Sequence, residues 1–139
     1  MSAQDKHTLI KLSESQGAVA DLADDLRGRK VKDEEGNDIG TVVDLLLDVR
    51  DRKVRFLLVD HGGFLGFVRK RSFLPVDAIT EITEHDVRIN HSRDHVVQSP
   101  PYHPDLTFDR DYHNAVYGHY GYKAYWQPDY LYPVLPHSF

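Results

Sequence analysis

Between Ile39 and Val49 the odd positions read Ile39, Thr41, Val43, Leu45, Leu47 and Val49, and the even ones include Gly40, Asp44 and Asp48. That period of two predicts a half-buried strand. A helix would set Asp44 and Asp48 beside each other on one face, four residues apart. The preceding run Asp33-Glu34-Glu35-Gly36-Asn37-Asp38 has tight-turn composition, so Arg29 to Lys32 is expected to pair as the first arm of a hairpin. A polar turn, Arg50 to Lys53, leads into Val54-Arg55-Phe56-Leu57-Leu58-Val59-Asp60, rich in strand formers. A connection this short allows only antiparallel pairing.

Further along, His61-Gly62-Gly63 breaks the strand and Phe64-Leu65-Gly66-Phe67 follows as a glycine-spaced apolar loop. Ser72-Phe73-Leu74 reads as another strand, stopped by Pro75, which has no N–H for a ladder. Val76 to Ile79 is expected to turn, and Ile82 to Asn90 to supply one last strand with Val87 and Ile89 inward and a turn at Glu84-His85-Asp86 before them. Several short strands at this spacing predict an all-β fold, a small antiparallel β-barrel. Gln16 to Leu26 tolerates helix, with Val19, Leu22 and Leu26 at spacings of three and four, although Gly17 weakens it.

The order of short motifs is more telling than any one of them. Gly28-Arg29-Lys30-Val31, Glu35-Gly36-Asn37-Asp38-Ile39-Gly40-Thr41-Val42, Asp44-Leu45-Leu46-Leu47-Asp48, Val54 to Val59, Gly62-Gly63-Phe64-Leu65-Gly66 and Leu74-Pro75-Val76 together resemble the PRC-barrel family over Gly28 to Asn90. The resemblance implies binding or assembly modules without a shared catalytic constellation. It carries fold more firmly than function. The family includes the cytoplasmic domain of the photosynthetic reaction-centre H subunit, which is tied to a membrane helix, and the C-terminal domain of a 16S ribosomal RNA-processing factor, which follows a separate RNA-factor domain. This chain shows neither attachment, so neither specialised role carries over.

Composition adds three constraints. The 139 residues, 40% hydrophobic and 28% charged, suit one soluble core. A cysteine count of zero removes disulfides and thiolate metal sites, which suits a reducing cytoplasm. Met1 to Lys11 lacks the apolar run of a secretory signal and nothing is long enough to span a membrane, so a cytoplasmic location is expected. The formal net charge of -5 repels polyanions and makes nucleic acid an unfavoured partner.

Charge also divides the chain. Residues 28–100 are rich in both signs, whereas 101–139 hold two basic and four acidic side chains, all eight tyrosines and the one tryptophan. The expected organisation is an N-terminal extension over 1–27, a barrel domain over 28–100 and an irregular Tyr-rich C-terminal extension over 101–139. Tyr112, Tyr117, Tyr120, Tyr122, Tyr125, Trp126, Tyr130 and Tyr132, interleaved with Gly118, Gly121 and Pro128, read as aperiodic and unable to build a core alone.

Candidate chemistry is sparse. Asp60, His61, His85, His91 and His95 are the metal-ligand candidates nearest the strands, yet the local sequence around His91 and His95 is that of a solvated turn, and no metal or other cofactor is expected. Ser13, Ser15, Ser72, Ser92 and Ser99 lie in no Gly-x-Ser-x-Gly elbow, and Asp24-Asp25 and Glu34-Glu35 lie in polar segments with nothing to raise a pKa, so no catalytic residue is expected. The Gly62 to Gly66 loop lacks a Gly-Lys-Ser/Thr ending for phosphate.

Two alternatives stay open. One is an RNA-associated or ribosome-maturation-type factor using Arg69-Lys70-Arg71, with Arg29 or Arg93, and the other is a metal-dependent hydrolase. The favoured expectation is a non-catalytic, self-associating protein-binding module, a homodimer. Its contacts are expected at Phe64 and Phe67 in the apolar loop and at Tyr117, Tyr120, Tyr122, Tyr125 and Trp126 in the extension, where aromatic surface suits an interface.

Overall fold

The computed structural model describes residues 9–14, 26–62 and 70–134. Among these residues seven strands form one sheet: β1 Leu9–Lys11, β2 Lys30–Lys32, β3 Asp38–Asp48, β4 Lys53–Asp60, β5 Arg71–Pro75, β6 Ile79–Ile82 and β7 Asp86–Ile89. Their order is β5-β4-β3-β2-β7-β6, with β1 beside β3. Strand β3 is the spine. One edge carries β4, and the other is shared between β2 near Thr41 and β1 near Leu46 to Asp48.

The hairpins expected around β3 are present and antiparallel. Two features differ from a purely antiparallel barrel. Strands β2 and β7 run parallel, which the long connection between them allows. The path also ends in β5 and β6, which one turn of 3-10 helix, Val76–Ala78, joins along the chain. Among the described residues no ladder closes that seam. The turn expected within Ile82 to Asn90 is present at Thr83 to His85, and the strand after it is β7; Ile82 itself belongs to β6, on which the turn folds β7 back with Ile82 opposite Val87.

Inside β3 the alternation is also not continuous. Ile39 is buried, but next comes Val42, with Thr41 and Val43 half-exposed, and every residue from Asp44 to Asp48 is then buried. Register shifts at Val42/Asp44 and Leu46/Leu47 explain this. A bulge inserts one unpaired residue and reverses the faces beyond it, and the sheet bends so that both faces of the later stretch are covered. Gly40 sits where β3 meets β4 most closely: a Cβ there would lie 2.4 Å from the Asp60 carbonyl oxygen. Only glycine permits that approach.

The C-terminal region is irregular only in part, since it holds one regular helix while residues 121–134 form neither helix nor strand. After a short helix α1, Arg93–Val97, and a proline-rich passage, helix α2 spans Arg110–Tyr120. The Asp109 side chain caps it by accepting from the Tyr112 N–H at 2.8 Å, and Gly121 ends it in the left-handed region at φ 82°. Tyr112, His113, Val116, Tyr117 and Tyr120 are its buried residues, at spacings of one, three, one and three. That is the stripe of an amphipathic helix. It packs on β5 and shares one core with the sheet. No helix among the described residues is long and apolar enough to cross a membrane.

The docked C-terminal segment as candidate interaction site

The extension reaches the sheet through aromatic contacts that begin at Phe56 of β4 and Phe73 of β5. Their rings lie 5.4 Å apart. Phe56 meets His113 at 4.9 Å and Tyr117 at 5.0 Å, and Phe73 meets Tyr112 at 6.1 Å and, edge-on, Tyr102 at 5.4 Å. Tilted and edge-to-face rings at these separations are attractive beyond their burial. Burial pushes the Tyr112 and Tyr120 phenols up to about 12 and Tyr117 higher still. They stay neutral under all ordinary conditions.

Beyond Gly121 the chain crosses β4 and clasps a buried cation. Arg55, 3% exposed, is paired with Asp48 at 3.2 Å and Asp51 at 2.9 Å. Its guanidinium lies 4.4 Å from the Tyr125 ring centre, with Tyr132 and Tyr130 at 5.7 and 5.9 Å. Carboxylates and ring faces together satisfy the buried charge. The Tyr132 hydroxyl donates to the Val54 carbonyl at 3.0 Å and the Tyr130 hydroxyl to Asp77 at 2.9 Å. Burial raises the Asp77 pKa against that hydrogen bond. Trp126 stands against Tyr117 and under the Arg110 guanidinium, 4.4 Å away.

The expected contact residues thus fall into three groups. Phe64 and Phe67 lie outside the described residues. Tyr117 and Tyr120 are buried in the chain's own core, 1% and 5% exposed. Tyr122, Tyr125 and Trp126 are half-buried with part of each ring outward. The reading from sequence missed Leu131 and Val134, which are 86% and 88% exposed beside the anchored Tyr130 and Tyr132. An in-and-out alternation in Tyr130-Leu131-Tyr132 is the signal that marks them.

The other candidates are scattered. Asp60 sits 3.8 Å from Arg71, and His85 is exposed beside Glu84. Among the described residues no three metal-ligating side chains gather into a site. His61 Nε2 lies 3.0 Å from Ser72 Oγ, and both side chains are buried in the fold. Burial lowers the His61 pKa, helped by Arg93. Of the basic residues, Arg69 lies outside the described residues, Arg29 donates to the Thr83 carbonyl, and Arg93 donates to the carbonyls of Ile39 and His61. Those two arginines brace the fold.

What the sequence misses is a third histidine cluster member. His91, just before α1, His95 within it and His119 at the end of α2 stack their rings: 5.1 Å separates the first pair and 4.1 Å the second, with planes 13° and 17° apart. The family assignment agrees with this geometry of a bent sheet carrying a docked extension. A model of the PRC-barrel domain matches residues 19–96, more than half the chain, and the protein belongs to that family. It therefore carries a protein-interaction or assembly module of a non-catalytic kind. No curated protein matches the chain.

Proposed function

We propose that the protein is a cytoplasmic assembly module that pairs with a second copy of itself through the outer surface of its docked C-terminal segment. Residues 28–100 form the frame and 101–139 the contact segment. The observation that supports this reading is the contrast within residues 130–134: Tyr130 and Tyr132 are tied to Asp77 and Val54, while Leu131 and Val134 face outward almost fully exposed. Anchored aromatics hold the apolar pair in place, so little order is lost on contact. The stretch Tyr130-Leu131-Tyr132-Pro133-Val134 carries no charge, so the net charge of -5 places no like charges at a two-fold contact there. Half-exposed Tyr122, Tyr125 and Trp126 extend the same aromatic surface.

Sedimentation velocity on the full chain tests the reading. The expected result is a concentration-dependent mass approaching twice 16.0 kDa, and the double substitution Leu131→Ser and Val134→Ser is expected to weaken pairing at least about tenfold. Far-ultraviolet dichroism should stay unchanged in that variant, because the anchors at Tyr130 and Tyr132 are untouched. A wild-type chain that stays monomeric at roughly 100 μM, or a variant that pairs equally well, overturns the proposal.

A further inference from the structure

The stack of His91, His95 and His119 has a chemistry that neither the fold nor the proposed pairing uses. His95 Nε2 lies 2.9 Å from the His119 carbonyl oxygen, and His119 Nε2 lies 2.7 Å from the His95 carbonyl oxygen. A carbonyl oxygen only accepts, so both rings carry their proton on Nε2 and donate it. The two hydrogen bonds are reciprocal. They form a clasp between α1 and the last turn of α2. His91 Nε2 lies 2.9 Å from the Tyr122 hydroxyl, which itself donates to Asn90 Oδ1 at 3.2 Å, so His91 also donates through Nε2. In all three rings the site left for a second proton is Nδ1.

A first proton in the stack is tolerable. His119 and His95 each sit in the last turn of a helix, where a positive charge is favoured. A second is not, because the rings are parallel and 4.1 to 5.1 Å apart, and Tyr120 walls all three edge-on at 5.0 to 5.3 Å, excluding water from that side. Around the stack stand Asp94 on α1, Tyr122 after α2 and, across a hollow of about 270 Å³ lined also by Asn90, His91 and Ser92, the turn carboxylates Asp33, Glu34 and Glu35. Burial, and then the two neighbouring rings, hold the His91 pKa below the ordinary imidazole range. Arg93 is turned away onto the Ile39 and His61 carbonyls.

We propose that this stack is an acid-released latch: with neutral rings it clasps the C-terminal end of α2 to α1, and a second proton within it opens the clasp while the sheet stays folded. The sign follows from linkage. Two positive rings repel each other at 4.1 to 5.1 Å in the closed form and are apart in the open form, so docking stays intact above the ordinary imidazole range, about 6.5, and weakens progressively as pH falls below that value. The rival group is His113, also on α2, whose Nε2 lies 2.7 Å from the Thr107 carbonyl and whose pKa burial lowers too.

Amide hydrogen exchange on the full chain, corrected for the intrinsic pH dependence, tests the latch between about pH 7.5 and about pH 5. Protection over the second half of α2 is expected to fall roughly 20-fold while β3 and β4 keep theirs. The double variant His95→Gln and His119→Gln offers a neutral amide donor in place of each Nε2–H, and its fall is expected to be under about threefold. Protection that persists at the lower pH, loosening of β3 and β4 in step, or an equal fall in the double variant, which assigns the effect to His113, each overturns the proposal. Should the variant not fold, ring titrations of the wild-type histidines decide. Coupled titration accompanied by α2 amide shifts supports the latch, and three independent ordinary titrations overturn it.

Discussion

The spine of the sheet and the docked C-terminal segment are held together by different physics. In β3 and β4 most buried side chains are aliphatic, and the two strands are joined to each other by the backbone ladder. In residues 110–132 the buried side chains are mostly aromatic rings, and the anchors are side-chain groups reaching sheet atoms: the Tyr130 hydroxyl to Asp77, the Tyr132 hydroxyl to Val54, and three ring faces around Arg55. A ladder is cooperative and fails as a whole. Point anchors fail one at a time, so the segment can loosen without the sheet. This difference gives an assembly module a rigid frame and an adjustable contact surface.

The largest expected effect comes from removing what both regions share. Phe56 is fully buried and touches Phe73 in the sheet and His113 and Tyr117 in α2. Phe56→Ala leaves a cavity between the two layers and should cost about 4 kcal/mol. Urea unfolding followed by Trp126 fluorescence and by far-ultraviolet dichroism should then shift together. Two separated transitions would show that the segment has its own stability.

Arg55 comes next, because it ties the segment to a charge buried in β3. Arg55→Met leaves Asp48, 2% exposed, without its cation and should cost about 3 kcal/mol. Adding Asp48→Asn, which keeps an oxygen for the Arg50 and Asp51 N–H groups, should recover more than half of that loss, since the orphaned charge is what hurts. If the double variant is no more stable than the single one in urea, the ring contacts to Arg55 carry the effect instead.

The same contrast explains what could be read in advance. The hairpins around β3 were legible because Gly36, Asn37 and the Arg50 to Lys53 run punctuate long apolar stretches, a local property. The bulges at Val42/Asp44 and Leu46/Leu47 were not, since they answer to β1 and β4, which the local alternation of β3 does not reveal. Helix α2 does not show in the spacing of the tyrosines alone. Adding His113 and Val116 completes the stripe, and Asp109 and Gly121 bracket it. In the candidate site, Arg55 looks like one charged residue of a strand until the segment folds over it. His119 stands 24 positions from His95, and only the packing of α1 on α2 brings them together.

The smallest expected effect is the most selective. Asp109 stands at the N-terminal end of α2, exposed, and its carboxylate accepts the Tyr112 N–H. Asp109→Ala should cost about 1 kcal/mol, the usual loss for an N-cap acceptor, and should act on α2 alone because no sheet residue depends on that carboxylate. Hydrogen exchange should therefore show faster opening over the first turn of α2, by about fivefold, with β3, β4 and β5 unchanged. Asp109→Asn, which retains the accepting oxygen, should restore the wild-type rate. Were the sheet to open faster as well, α2 and the sheet would be a single cooperative unit, and the contrast between ladder and anchors would not describe how this protein moves.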